Sequence, residues 1–531
     1  MTAVRIGRSG LVGIGLSTAC FLVTALLGPS AMEPDLAGTG PAFALAAQPA
    51  PHLVIGLVAA GVLLAGLGLG LCLRAVHRGW RPAPRPLLIA GLLVTAAFAF
   101  LPPIGSADHL NYAAYGRMVV TGHDPYTTRA VDLPADPIAQ AVQEWRTAPS
   151  VYGPIATGQQ ALASWIGGES VRLTVFVLSL TGALTFALVG LVLYRYGDPL
   201  RSVLFWTLNP LMLFHLVAGA HNDTLAVAVA VLALAVFTGP AGGREGAGIV
   251  RSDGSVGVLR ALATGALVGA GAAIKLPAAL VGGGPAWVLL RKRAFAPLAA
   301  LVSGAAGTAL LLYLPAGLHA FDQVRRASNS VSFATPWHLV DAALGVNRHR
   351  AIIQIGSLLL LVTLTVLLTR ALPSAATPVL KACERASKEP ANRRAALRLG
   401  QETQPAHQPS RFAARPVSTA LVLAWLFAAP YALPWYDGLG WAVLALLPWS
   451  RFDWLLPART VALSLAYLPA RAPDVIKLPD DLSWLFTVVR PVIIPWVLTA
   501  VLIALVVLAV RDHRPAPGPV RTPRARAGSP G

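Results

Sequence analysis

The chain has 531 residues, of which 55% are hydrophobic and 12% charged, and its mean hydropathy is +0.64. A soluble domain carries about 25% charged residues, so an ordinary soluble globule and a disordered chain are both excluded. The net charge of +19 comes from Arg and Lys set between apolar runs, the pattern of cytoplasmic loops on a membrane protein rather than of a nucleic-acid surface.

Apolar runs predict membrane helices at 10–29, 53–73, 87–104, 172–194, 202–218, 224–238, 260–274, 278–290, 294–315, 351–369, 416–433, 439–449, 454–469 and 490–510. That is about 14 spans, in a range of roughly 12–15. The expected fold class is an all-α, polytopic integral membrane protein. Arg5 and Arg8 ahead of the first run give it the look of a signal peptide, but it reads as a retained span because the rest of the chain is membrane-bound. The predicted organisation is an N-terminal transmembrane extension (1–86), a membrane module (87–369) with a long outer loop (105–171), a basic cytoplasmic loop (370–415), C-terminal transmembrane helices (416–511) and a tail (512–531). The stretches 239–259, 371–415 and 512–531 read as solvated tethers. Cys20 and Cys72 fall in apolar runs and Cys383 in a basic stretch, with no disulfide framework or zinc spacing.

Placing both termini in the cytoplasm puts about 29 basic residues inside and about 12 outside, with Arg459 undecided. The polar clusters then all fall on the outer side. The first follows Pro102-Pro103, which should end a span. It holds Asp108, Tyr112 and Tyr115, then Asp124 and Tyr126, then Tyr152. A short interfacial helix over 107–120 would put Asp108 and Tyr112 on one face at i, i+4. A carboxyl at the lip of the bilayer can have a raised pKa and act as a base; capping the helix is the plainer role for Asp108. Asp124 before Pro125 is an Asx-turn former by default, and the tyrosines are most simply interfacial belt aromatics.

His221-Asn222-Asp223 opens the run at 224–238. Asn222 and Asp223 are good N-cap types, and His221 beside a helix N-terminus suits a phosphate oxygen. Lys275 interrupts the run from 260 to 290, and in that place it either snorkels or binds a lipid phosphate. Arg325 and Arg326 add donors in an outer loop, unless they are only a solvated pair. Tyr436 and Asp437 suit sugar stacking and hydroxyl binding, or else a belt aromatic and a turn. No P-loop, GxSxG, HExxH or Cys/His metal spacing is present.

In order and spacing, Asp108-x-x-Asn111-Tyr112-x-x-Tyr115-Gly116, Gly122-His123-Asp124-Pro125-Tyr126, Tyr152-Gly153-Pro154, Asn209-Pro210, His221-Asn222-Asp223 and Lys275-Leu276-Pro277 resemble the outer segments of actinobacterial GT-C glycosyltransferases. The nearest group is the polyprenol-phosphate-mannose-dependent α-1,6-mannosyltransferases. The resemblance runs from about residue 87 to 450 and leaves out the N-terminal extension and the basic loop. It implies a GT-C fold and inverting mannosyl transfer from a polyprenyl-phosphate donor to a glycan or glycolipid hydroxyl outside the cytoplasmic membrane. It also implies Asp108 as the base. Relatives often carry an acidic residue where Tyr115 stands and Asn where Asp124 stands.

On that scheme Lys275, His221 and Arg325 or Arg326 hold the donor phosphate. Tyr112, Asp124, Tyr126, Tyr152, Asn222, Asp223, Tyr436 and Asp437 line the substrates. Membrane lipids are the other partners expected, and nucleic acid is not one. No cofactor is called for, although Asp108, Asp124 and Asp223 would be the residues to gather a divalent metal. The rival classes are a lipid-linked-sugar transporter or flippase, which should show repeated halves and midplane charges, and a non-catalytic scaffold.

Overall fold

The computed structural model describes residues 2–239, 256–346, 348–373 and 411–512. The tether readings at 239–259, 371–415 and 512–531, and Cys383, lie largely or wholly outside these residues. Among the described residues the chain is all-helical, with one isolated bridge between Ser30 and Glu33. Without water to serve its N–H and C=O groups, a chain in lipid must bond its backbone internally. Each apolar run is accordingly a helix or the greater part of one.

Local chemistry sets the helix starts. Proline occupies the first turn of Pro51–His77, Pro84–Ala99 and Pro154–Gly167, where its missing N–H costs nothing. Ser170 accepts the N–H of Leu173 at the head of Val171–Tyr196.

Seven described helices are long and apolar enough to cross a membrane: Ala3–Leu27, Pro51–His77, Val171–Tyr196, Pro199–Ala218, Phe295–Tyr313, Arg350–Ala371 and Asp480–Arg511. Four shorter apolar ones join them, Pro84–Ala99, Asp223–Thr238, Val258–Ala272 and Leu276–Arg291. The remaining expected runs form Ala414–Ala428, Asp437–Ala445 and Leu455–Ala466. These are short and packed among other helices, so the expected figure of about fourteen spans is not reached by length.

Burial sorts the helices. Pro199–Ala218, broken at Asn209-Pro210 with a π-helical stretch on each side, is buried over nearly all its length, more than any other long helix described. Phe295–Tyr313 and Arg350–Ala371 expose Leu310, Leu311, Leu358 and Leu359, an apolar surface suited to lipid. Two buried ion pairs tie the interior. Arg201 binds Asp453 through two hydrogen bonds of 2.6 and 2.7 Å, and Arg459 pairs with Asp437.

The segments expected on the outer side dock on one another. Helix Asp108–Val120 lies against Pro154–Gly167 at Gly116, where a Cβ would stand 2.0 Å from the Gln160 carbonyl oxygen. The 28–50 connection is strapped down by Arg172, which donates to the carbonyls of Leu36 and Ala42. The N-terminal helix pair is therefore joined to the 105–171 segment instead of standing apart from it.

Candidate active site

The Asp108 carboxyl sits where two cavities meet. The smaller, about 280 Å³, is walled mainly by aromatic rings: Tyr112, Tyr115, Trp145, Tyr152, Tyr431 and Tyr436. The larger, about 620 Å³, has Glu144, Arg471 and Arg490 in its wall, with Phe333 and Phe486. Asp108 lines both, as do Trp145 and Tyr431.

Asp108 is free to face these spaces because it does not cap its helix. Ala107 holds the N-cap position, and the Asp108 N–H is taken by Ser106 Oγ at 3.0 Å. The carboxyl is 16% exposed. Its pKa is pushed up from 3.8 to about 7, chiefly by burial and then by the Glu144 carboxylate; Lys275 opposes the rise and Asp223 adds to it.

Behind Asp108 runs a chain of polar contacts between distant segments. Tyr152 and Tyr112 meet hydroxyl to hydroxyl at 3.3 Å, and the Tyr112 hydroxyl lies 3.3 Å from His221 Nδ1. That nitrogen is 3.7 Å from Asp108 Oδ2. The His221 ring stacks on Trp435, centroids 3.8 Å apart. Burial, with His215, Lys275 and His109 nearby, holds its pKa well below the usual histidine range, so the imidazole is neutral. Lys275 Nζ donates to Asp223 Oδ1 at 2.6 Å and lies 3.9 Å from the Tyr436 ring centroid.

Two turns bring these residues together. The N–H groups of Gly153 and Ile155 donate to the carbonyls of Ile274 and Ala273, so Tyr152 is held beside Lys275. A Cβ at Gly153 would stand 2.2 Å from the Ala273 oxygen, and glycine allows the approach.

The structure thus gathers Asp108, Tyr112, Tyr152, His221, Asp223, Lys275 and Tyr436. Tyr112 and Tyr115 are buried cavity walls, not belt aromatics. Neither His221 nor Lys275 is among the residues lining the two cavities; each is engaged with a neighbouring side chain instead. His221 supports Tyr112, and Lys275 neutralises Asp223. Asn222 is buried, and its amide has no hydrogen-bond partner among the described residues; it does not cap Asp223–Thr238 through its side chain.

Other expected site residues stand elsewhere. Asp124 makes the Asx turn, accepting the Tyr126 N–H at 2.9 Å, and binds His319 at 2.7 Å, with both side chains more than 40% exposed. Tyr126 is buried against Thr157. Asp437 is fully buried between Arg459 and Thr460, away from both cavities. Arg325 is exposed on the short helix Asp322–Ser328, whereas its neighbour Arg326 reaches the smaller cavity. Among the described residues no three His, Cys, Asp or Glu side chains are grouped to hold a metal, so Asp108, Asp124 and Asp223 form no such set.

Residues 10–291 match the model of a family described as alpha-(1->6)-mannopyranosyltransferase, N-terminal domain. The chain belongs to this family. Alpha-(1->6)-mannopyranosyltransferase A of Mycobacterium tuberculosis is 29% identical over 267 residues, 47% of this chain and 46% of that relative. The Corynebacterium glutamicum protein of the same name is 26% identical over 140 residues, 25% of this chain and 29% of the relative. A probable alpha-(1->6)-mannopyranosyltransferase of Mycolicibacterium smegmatis is 29% identical over 147 residues, 25% of each chain. The matched stretches thus span less than half the length of these relatives. No solved structure matches.

The mannopyranosyltransferase match begins at residue 10, so it takes in the N-terminal helices that the expected range from residue 87 leaves out. It includes Asp108, Tyr112, Tyr152, His221, Asp223 and Lys275. The cavity walls contributed by Tyr431, Tyr436, Arg471 and Arg490 lie beyond it. Sequence reasoning missed Glu144, Trp145, Tyr431, Arg471 and Arg490. The available signal was that the expected topology puts Arg471 and Arg490 on the side where the positive-inside rule predicts few basic residues.

Proposed function

We propose that the protein transfers a mannosyl residue from a polyprenyl-phosphate-mannose donor to a sugar hydroxyl of a cell-envelope α-1,6-mannan, with inversion, on the outer side of the cytoplasmic membrane. Both termini then lie in the cytoplasm. The observation that carries this reading is the placement of Asp108. A single carboxyl with its pKa near neutrality is shared by two cavities, as a base between two substrates needs to be.

The acceptor sugar takes the smaller cavity, where aromatic faces suit the apolar faces of a pyranose. Its hydroxyl oxygen attacks the anomeric carbon and its proton passes to an Asp108 carboxylate oxygen. The bond from that carbon to the phosphate oxygen breaks, and the electron pair leaves on the phosphate. A β-linked donor gives an α-linked product. General-base help of this kind contributes about 10²–10⁴-fold. Tyr112, held between Tyr152 and neutral His221, fixes the wall beside the carboxyl.

Purified protein in lipid nanodiscs, given polyprenyl-phosphate [¹⁴C]mannose and an α-1,6-oligomannoside, should extend the acceptor by an α-linked mannose. Absence of transfer, or a β-linked product, would overturn the reading.

A further inference from the structure

We propose that Arg471 and Arg490 bind the phosphate of the lipid-linked donor in the larger cavity and stabilise the charge it gains as the sugar leaves. This rests on the donor reading above and assigns the phosphate to residues outside the family match. Both guanidiniums line the larger cavity together with Asp108. Arg471 is 7% exposed and is held rigidly: Nε and Nη2 donate to Gln143 Oε1, at 3.1 and 2.6 Å, and Nη1 donates to the Ser30 carbonyl at 2.5 Å. Arg490 is fixed by donation from Nε to the Ala466 carbonyl at 2.7 Å, and by the rings of Phe486 and Tyr467, 4.3 and 5.1 Å from its Cζ. A guanidinium has five N–H donors, and these bonds leave donors on both arginines unspent.

The wall that carries Arg490 has two faces. Phe486 and Arg490 turn to the cavity, while Trp484, Val488, Val492 and Ile493 of the same stretch are exposed, in a segment apolar enough to cross a membrane. A cationic inner face beside an outward apolar face suits a ligand with a phosphate head and a hydrocarbon tail. An arginine within such a segment is costly unless it is paired or serves a ligand.

The charge balance agrees. The donor is a phosphodiester with one negative charge, and transfer leaves a polyprenyl phosphate monoester with nearly two. Two pre-positioned guanidiniums therefore bind the leaving group more tightly than the donor, which is the direction that lowers a barrier. Glu144 and Asp474 also line this cavity, and Glu144 is the carboxylate that interacts electrostatically with both arginines. The smaller cavity offers only Arg326, which is exposed and bonded to Gln323 at 3.0 Å.

The test is binding of polyprenyl phosphate to the full chain in nanodiscs, with inorganic phosphate as the tail-less control. R471Q and R490Q should each weaken polyprenyl-phosphate binding by about 10- to 100-fold, the scale of a hydrogen bond to a charged group. R490K should restore part of it, which a merely structural role for Arg490 would not require. R326Q should bind within about twofold of the parent, and inorganic phosphate should compete only at much higher concentration. Loss of binding in R326Q with retention in R471Q and R490Q would overturn the assignment. If R490Q does not fold, R471Q and R490K decide the matter. A parent protein that binds no polyprenyl phosphate would instead overturn the donor reading itself.

Discussion

Asp108→Asn keeps the shape of the side chain and removes its ability to take a proton. The ion-pair partner of this carboxyl, His221 Nδ1, stands at 3.7 Å, beyond hydrogen-bond range, so the amide breaks no hydrogen bond to it. The rise from 3.8 to about 7 corresponds to roughly 4 kcal/mol set against the ionised form in the folded protein. Because the folded pKa lies above the unfolded one, the stability from this group is fully present below pH 3.8 and lost as pH rises through about 7. The variant lacks that loss, so above pH 7 it should be at least as thermally stable as the parent. Its transfer rate should fall by about 10²–10⁴-fold. In the parent, kcat/KM should rise with pH to a plateau, with its acid limb near 7, because only the carboxylate accepts the proton; the residual rate of the variant should lack that limb. Single-turnover transfer of labelled mannose over pH 5–9 (about the range a neutral-pH base spans), together with unfolding in detergent, measures both effects. A variant that transfers within threefold of the parent, or that keeps the acid limb, would refute the role of Asp108.

Lys275→Ala leaves Asp223 as an uncompensated buried carboxylate. It should lower stability by about 3–5 kcal/mol, and the double change D223N/K275M should recover much of that, as read from detergent-solubilised unfolding curves. Gly116→Ala forces a methyl against the Gln160 carbonyl; a loss of about 1–3 kcal/mol and a fall in transfer activity are expected, because this contact seats the helix that carries Asp108. His319→Ala breaks only the exposed pair with Asp124, so unfolding should shift by less than about 1 kcal/mol. A larger shift would mean that this pair clamps the 105–171 segment.

Helices, their approximate ends and the helix bearing Asp108 were legible because they depend on local rules. An apolar run in lipid has no backbone partner but itself, and proline and glycine mark its ends through their own φ. Asp108, Tyr112 and Tyr152 stood out in the sequence for a related reason, since polar residues in so apolar a chain invite an explanation, and the fold places the three side by side. Asp437 misled because a turn aspartate beside aromatic residues carries the same local signal whether it faces a sugar or, as here, a buried arginine.

Composition and apolar periodicity determined the all-helical, membrane-type architecture and the pool of candidate polar residues. Which candidates meet was decided by packing between segments tens to hundreds of residues apart. His221 lies on Trp435, Lys275 is spent on Asp223, and Arg471 and Arg490 reach the cavity of Asp108 from the far end of the chain. Nothing local marks such meetings: an arginine beside a membrane span looks the same from its neighbours whether it orients the chain or waits for a phosphate. Only the energy of burying its charge among particular partners tells the two apart.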